Sequence, residues 1–127
     1  MAVQLNHHIV HAKDPKASAQ FLADMLGLEA PRPYGPFMAV ETANGVGLDY
    51  MRHDGDITPN HYAFLVTEDE FEQIFGRIKE RGLDYFADPG GRQKGEINHH
   101  DGGRGVYWAD PDGHWLEIIT RPYGSGS

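Results

Sequence analysis

Residues 110–119 read DPDGHWLEII, which combines a tight turn with a short apolar strand. The DPDG part has strong turn chemistry, because proline fixes φ, aspartate bonds to the nearby backbone and glycine accepts positive φ. The apolar residues that follow predict a strand near 114–120, and Glu117 interrupts them. An ionised carboxylate within an apolar strand needs a partner or must be neutralised. Glu117 is therefore the first candidate for a functional residue.

The first half of the chain contains a second copy of this ending. Residues 44–49 read NGVGLD and match 112–117, DGHWLE, which lie 68 residues later. A second match joins Asn6-His7 to Asn60-His61, 54 residues later. A longer second-half loop, about 87–103 and rich in Gly, Asn and His, accounts for the unequal offsets. The repeat places a histidine on the first strand and a carboxylate on the last strand of each half.

Each half has the order strand, helix, three strands. The first helix begins at Asp14-Pro15, with aspartate as N-cap, and ends at Gly27. The second begins with a Thr67–Glu70 capping box and ends at Gly82. The predicted strands cover 3–11, 30–34, 36–42 and 45–52 in the first half, and 59–66, 83–87, 104–109 and 114–120 in the second. The sequence thus predicts an α+β fold of two βαβββ modules in tandem.

Length and composition limit the organisation and the class of partner. The 127 residues suit one domain over 1–122, with modules of about 1–55 and 56–122 and a flexible tail at 123–127. The net charge of −8 argues against nucleic-acid binding, which needs Lys and Arg. No apolar run is long enough for a membrane span, and the N-terminus does not resemble a signal peptide. We therefore expect a cytoplasmic protein with no nucleic-acid or membrane partner.

The repeat-related polar residues predict a metal site. Approximate two-fold symmetry would bring His7 and His61 toward one point, together with Asp49 and Glu117. Two histidines and one carboxylate form the facial triad of metal catalysis. The chain has no cysteine, so the ligands are limited to those that suit Fe, Ni, Zn, Co or Mn. The side chain of Asp49 is one methylene shorter than that of Glu117, and direct ligation and a role through water both stay open.

The other histidines have simpler explanations. A lone histidine on a strand is most often a hydrogen-bonded structural residue. His8 points to the strand face opposite His7, so we reject it as a ligand. His114 follows a turn, where a hydrogen-bonded or solvated role is expected. His99, His100 and Arg104 belong to the long loop or its end and either line a pocket or form a solvated surface.

Three segments together resemble the vicinal oxygen chelate superfamily, which includes glyoxalase I, extradiol dioxygenases, methylmalonyl-CoA epimerases, and fosfomycin and bleomycin resistance proteins. They are residues 5–7 (LNH), the helix from Asp14-Pro15 to 26–28 (LGL), and the ending 110–118. The resemblance implies curled mixed sheets around a metal-containing cleft, and a homodimer. It also implies that His7, His61 and Glu117 hold one divalent metal ion per site. Position 49 is a fourth ligand, usually Glu or Gln, in glyoxalases and epimerases but not in extradiol dioxygenases. The short chain and the carboxylate of Asp49 therefore favour glyoxalase or epimerase chemistry.

The same resemblance implies a small-molecule substrate that binds the metal through two adjacent oxygens. In a lyase or isomerase, Glu117 or Asp49 would take a proton. In a dioxygenase, the metal would be Fe(II), and His99, His100, Tyr85 and Tyr107 are candidates to handle protons. The alternative is a bleomycin-resistance-type binding protein without catalysis, whose acidic surface attracts a cationic drug. A glutathione thioester site would need basic residues, for which Arg92, Lys94 and Arg104 are the candidates.

Overall fold

The computed structural model describes residues 2–126. The chain divides into two compact units, Met1–Thr58 (unit 1) and Pro59–Ser127 (unit 2). Both contain a mixed sheet and one long helix, in agreement with the predicted α+β fold of two tandem modules. In residues 2–126, no helix has the length and apolar character needed to cross a membrane.

The elements of unit 1 are β1 (His7–Ala12), α1 (Pro15–Leu26), β2 (Arg32–Tyr34), β3 (Phe37–Glu41) and β4 (Gly47–Arg52). The four strands form one sheet in the order β1-β4-β3-β2. Strand β1 runs parallel to β4, and the other neighbours are antiparallel. The helix packs on the sheet, and its core side chains include Leu22 and Met25, which are buried with Val40 and Tyr50.

The ends of α1 follow from its capping residues. Asp14 Oδ1 accepts a hydrogen bond from the Ala17 backbone N–H at 3.1 Å, which satisfies one of the unpaired donors of the first turn. Gly27 has φ 69° and donates its N–H to the Ala23 carbonyl. That left-handed conformation favours glycine and ends the helix. The predicted start and end of this helix are both confirmed.

The elements of unit 2 are β5 (His61–Leu65), α2 (Glu68–Glu80), a short 3₁₀ helix (His100–Gly102), β6 (Gly105–Ala109) and β7 (Trp115–Ile119). The three strands form one sheet in the order β5-β7-β6, with β5 parallel to β7. Thr67 and Glu70 form the predicted capping box, since each side chain accepts from the other's backbone N–H at 3.1 and 2.8 Å. Phe71 and Ile74 of the helix belong to the buried core.

The prediction of a strand at 83–87 was wrong. Phe86 forms only isolated bridges there, to Tyr107 and to Lys94. The Asp88 carboxylate accepts hydrogen bonds from the backbone N–H groups of Gln93 and Arg92, at 2.7 and 3.0 Å. These bonds fold the chain back into a tight loop where a continuing strand would have run. Unit 2 therefore pairs three full strands where unit 1 pairs four.

The sequence repeat corresponds to the same strand register in both units. His7 is paired with Gly47 between β1 and β4, and His61 is paired with Trp115 between β5 and β7. The Gly47 N–H donates to the Asn6 carbonyl at 2.8 Å, and the Trp115 N–H donates to the Asn60 carbonyl at the same distance. Residues related by the offsets of 54 and 68 thus occupy equivalent positions in the two sheets. In each unit, the carboxylate lies two residues after the residue that is paired with the histidine.

Candidate metal centre

Unit 2 contains a buried carboxylate in direct contact with a histidine. Glu117 lies in the middle of β7 and is 2% exposed. Its neighbours in the sheet are Ala63 on β5 and Tyr107 on β6. His61 Nε2 lies 3.0 Å from Glu117 Oε1. The contact joins two of the three residues that the sequence predicted as metal ligands.

The hydrogen bonds of His61 determine which ring nitrogen faces the carboxylate with a lone pair. His61 Nδ1 lies 2.9 Å from the Trp115 carbonyl oxygen, which can only accept, so Nδ1 carries hydrogen. In the neutral ring, Nε2 then presents a lone pair to a carboxylate oxygen. Two such acceptors at 3.0 Å need a proton or a cation between them. A divalent metal could bind both of these lone-pair atoms, His61 Nε2 and Glu117 Oε1. The hydrogen bond from Nδ1 to a backbone carbonyl is typical support for a metal-binding histidine.

Tyr107 supports the carboxylate from β6. Its hydroxyl donates a hydrogen bond to Glu117, and burial, followed by the negative charge of Glu117, raises the pKa of the phenol well above its usual value. The Tyr107 ring stacks between His61, at 5.8 Å between centroids, and Trp115, at 5.9 Å. Phe86 extends this group, with its ring 5.3 Å from that of Trp115. The aromatic stack fixes the orientation of both potential ligands.

His114 has a structural role. It is fully buried, and its Nδ1 accepts a hydrogen bond from the Asn60 backbone N–H at 3.0 Å. Its own N–H donates to Asp110 Oδ1 at 2.8 Å. Burial raises the pKa of the Asp110 carboxyl, and hydrogen bonds from the turn oppose that rise. His114 and Asp110 thus fix the turn that precedes β7 and leave Glu117 in register with His61.

Unit 1 contains the second half of the predicted ligand set. A Cβ placed on Gly47 would lie 3.4 Å from both Asp49 Oδ1 and His7 Cβ, so these two side chains flank the glycine. His7 Nδ1 lies 2.7 Å from Asn6 Oδ1. His7 and Asp49 both line a cleft of about 930 Å³, which we call the unit 1 cleft.

The remaining candidates lie elsewhere. His99 and His100 are exposed at the 3₁₀ turn, and His99 contributes, after Thr120 and Arg104, to lowering the pKa of Glu68 at the start of α2. Arg104 is paired with Glu68 and Glu72 and stacks on Phe71, so it belongs to the surface of α2. Among residues 2–126, no group of three or more His, Asp or Glu is arranged to hold one metal ion. Each unit instead presents a pair.

Sequence reasoning missed the residues that orient these pairs. The Trp115 carbonyl holds His61, and the Asn6 side chain contacts His7. The repeated Asn-His dipeptide was a signal for Asn6, although Asn60 differs, since its side chain donates to the Tyr62 hydroxyl at 3.1 Å. A backbone carbonyl gives no sequence signal at all.

Paired βαβββ-type units with parallel first and last strands, each carrying a histidine and a carboxylate, define a vicinal oxygen chelate fold. Comparison with known families agrees with this. The chain belongs to the Glyoxalase/Bleomycin resistance protein/Dioxygenase superfamily, whose family model matches residues 4–118.

Three relatives illustrate the range of the superfamily. Oxidase ChaP-H2 has a solved structure with 67% identity and a TM-score of 0.97, and the match covers 100% of both chains. Oxidase ChaP-H1 has 67% identity and a TM-score of 0.95, over 97% of this chain and 99% of that one. The metallothiol transferase FosB of Lysinibacillus sphaericus (strain C3-41) is 29% identical over 94% of this chain and 84% of its own length. The chain is thus similar to proteins named as oxidases and, more distantly, to one named as a transferase.

Proposed function

We propose that the protein is a metal-dependent enzyme of the dioxygenase type that oxidises a small molecule bearing two adjacent oxygens. The observation that carries this proposal is the contact of His61 Nε2 with the buried Glu117 carboxylate at 3.0 Å. The oxidase names of two structures at 67% identity favour Fe(II) and dioxygen over lyase or isomerase chemistry. A two-histidine, one-carboxylate set with open positions is the arrangement of non-haem Fe(II) oxygenases.

His7, His61 and Glu117 would hold the metal, and each unit contributes part of this set. Bound Fe(II) would supply positions for both substrate oxygens and for dioxygen, and it would lower the pKa of a bound hydroxyl. Asp49 is the carboxylate that we assign to accept the substrate proton, since it lines the unit 1 cleft beside His7. Tyr107 keeps Glu117 hydrogen-bonded and oriented.

The charged residues argue against thiol-transfer chemistry of the kind named for FosB. A thiol cofactor with carboxylates would need unpaired cations near the cleft. Lys94 lies 3.4 Å from Asp84, and Arg104 is held by Glu68 and Glu72. The third candidate, Arg92, lies beside the Asp88 carboxylate, which accepts its backbone N–H. All three candidates from the sequence therefore have acidic neighbours.

We also propose that the protein works as a homodimer in which a metal site takes ligands from two chains. The support is the division of the predicted ligand set into a pair in each unit, together with the family resemblance, which implies a homodimer. Coexpression of His7→Ala and Glu117→Gln chains tests this. Random pairing would make about half of the dimers mixed, and half of their sites would be intact, so about a quarter of the sites should recover. Recovery of no sites would contradict a shared centre.

Metal reconstitution with an oxygen electrode tests the chemistry. Metal-free protein should bind Fe(II) under anaerobic conditions and then consume dioxygen with a catechol. Glu117→Gln should lose both properties, whereas Glu72→Gln, on the surface of α2, should keep them. Binding of a basic glycopeptide to metal-free protein with no oxygen uptake would overturn the proposal, and so would proton-transfer activity with Ni, Co or Zn alone.

A further inference from the structure

The two units differ at equivalent positions of their sheets. In unit 2, Tyr107 is paired with Glu117 between β6 and β7. In unit 1, Ala39 is paired with Asp49 at the corresponding place between β3 and β4. The partner of the first-strand histidine differs in the same way, since Trp115 is paired with His61 and Gly47 with His7. Unit 1 thus has the two smallest residues where unit 2 has two large aromatic ones.

This difference explains why unit 1 has a cleft. The Tyr107 and Trp115 rings stack at 5.9 Å and 19°, so side chains fill that part of unit 2. Ala39 and Gly47 instead line the cleft of about 930 Å³ in unit 1, near the upper end of the usual size range for small-molecule sites. The space that two aromatic side chains fill in unit 2 is therefore open in unit 1, beside the candidate ligands His7 and Asp49.

The charge of the cleft is predominantly negative. Its lining includes the carboxylates of Glu29, Glu41 and Asp49. The lining cation, Arg32, lies 3.5 Å from Glu29 and is engaged by it. An anionic substituent away from the proposed metal would thus meet Glu41, which no lining cation compensates, whereas hydroxyl groups would find acceptors.

We propose that Ala39, Gly47 and Glu41 determine substrate specificity. Ala39 and Gly47 leave room for a flat, fused-ring substrate beside His7, and Glu41 disfavours anionic ring compounds. This inference rests on the proposed function, whose substrate bears two adjacent oxygens. Gly47 limits the size of the residue at its position, because a Cβ there would already be in van der Waals contact with both His7 and Asp49, at 3.4 Å, and any larger side chain would occupy the space between them.

Fluorescence titrations of 2,3-dihydroxynaphthalene with Zn²⁺-loaded and metal-free protein test the size argument without any turnover. Ala39→Leu should weaken naphthalenediol binding about tenfold, the effect of one steric conflict of ordinary size, while one-ring catechol binding stays nearly unchanged. Ala17→Leu, at an exposed site on α1, is the control and should bind both compounds as the wild type does. Gly47→Ala is the second variant if Ala39→Leu fails to fold, and it should show the same selectivity in weaker form.

The 6-sulfonate of the same naphthalenediol tests the charge argument. The wild type should bind the neutral compound more tightly, and Glu41→Gln should reduce that preference by about threefold, as expected for one partly screened charge. If the wild type and Glu41→Gln each bind the neutral and the sulfonated compound equally tightly, the role of Glu41 is overturned. Unchanged naphthalenediol binding by folded Ala39→Leu and Gly47→Ala would overturn the role of the small residues. Normal ring binding without iron-dependent oxygen uptake would instead reject the proposed function and leave this inference standing.

Discussion

His61 Nε2 and Glu117 Oε1 lie 3.0 Å apart because the parallel register of β5 and β7 pairs His61 with Trp115, two residues before the glutamate. The glutamate is buried, while the histidine side chain is 46% exposed. The pair therefore has a rigid, desolvated acceptor and an accessible imidazole. Unit 1 repeats the register with His7 and Asp49, which line its cleft. The ligand pairs are consequences of one strand arrangement used twice.

The first prediction compares neighbouring histidines on β1. His7→Ala should weaken divalent-metal binding at least about tenfold, because it removes one imidazole ligand from the proposed set. His8→Ala should leave it unchanged, since successive strand residues point to opposite faces and the lining of the unit 1 cleft includes His7 without His8. Calorimetric titration of metal-free protein with Fe(II) or Co(II) measures both. Equal losses in the two variants would contradict the assignment of His7.

The sequence was enough to predict the features that depend on local chemistry and on the repeat. The caps at Asp14 and Thr67 began helices as expected, and the matched dipeptides gave the true strand correspondence. The segment 83–87 was mistaken because its strand-like composition was weighed without the Asp88 loop, whose side-chain bonds to backbone N–H groups redirect the chain. The resemblance implied a metal-containing cleft, but the residues that open it were not predicted. Small residues such as Gly47 indicate open space only when they are compared with the aromatic residues at the equivalent positions of unit 2.

The second prediction concerns the hydrogen bond from Tyr107 to Glu117. Tyr107→Phe should weaken metal binding by about tenfold, the usual cost of losing a residue that supports a ligand. A tyrosine hydroxyl is protonated through neutral and mildly alkaline pH, and burial raises the pKa of Tyr107 further, so the wild-type advantage should persist from pH 7 to about 9. Metal titrations at several pH values check this. Tyr85→Phe is the control for metal binding, since the structure places the ring of this tyrosine, also a candidate from the sequence, edge-on against Phe75 of α2. A wild-type advantage that disappears within this range would contradict the role of Tyr107.

The third prediction concerns the stability of the turn before β7. His114→Ala should lower the free energy of unfolding by about 2–4 kcal/mol, because it leaves a cavity and removes the acceptor for the Asn60 N–H. Urea denaturation followed by circular dichroism measures the loss. His100→Ala, at an exposed site, should change the stability by less than about 0.5 kcal/mol. A stable His114→Ala protein with intact metal affinity would show that the turn is held by other contacts.

The fourth prediction uses the pH dependence of Asp110. Burial raises the pKa of this carboxyl in the folded protein, so between the unfolded and folded pKa values the folded state binds more protons. The favourable contribution to stability is therefore complete below the unfolded pKa of about 3.9 and is lost as pH rises through the folded value. Asp110→Asn removes the titrating group and retains an oxygen that can accept from the Asp112 and His114 N–H groups. The stability of this variant relative to the wild type should rise between pH 3.5 and pH 7, as measured by urea denaturation at matched ionic strength. A stability difference that stays constant or falls over this range would contradict the raised pKa. It would mean that ionising Asp110 in the folded protein costs no free energy, because its hydrogen bonds offset the effect of burial.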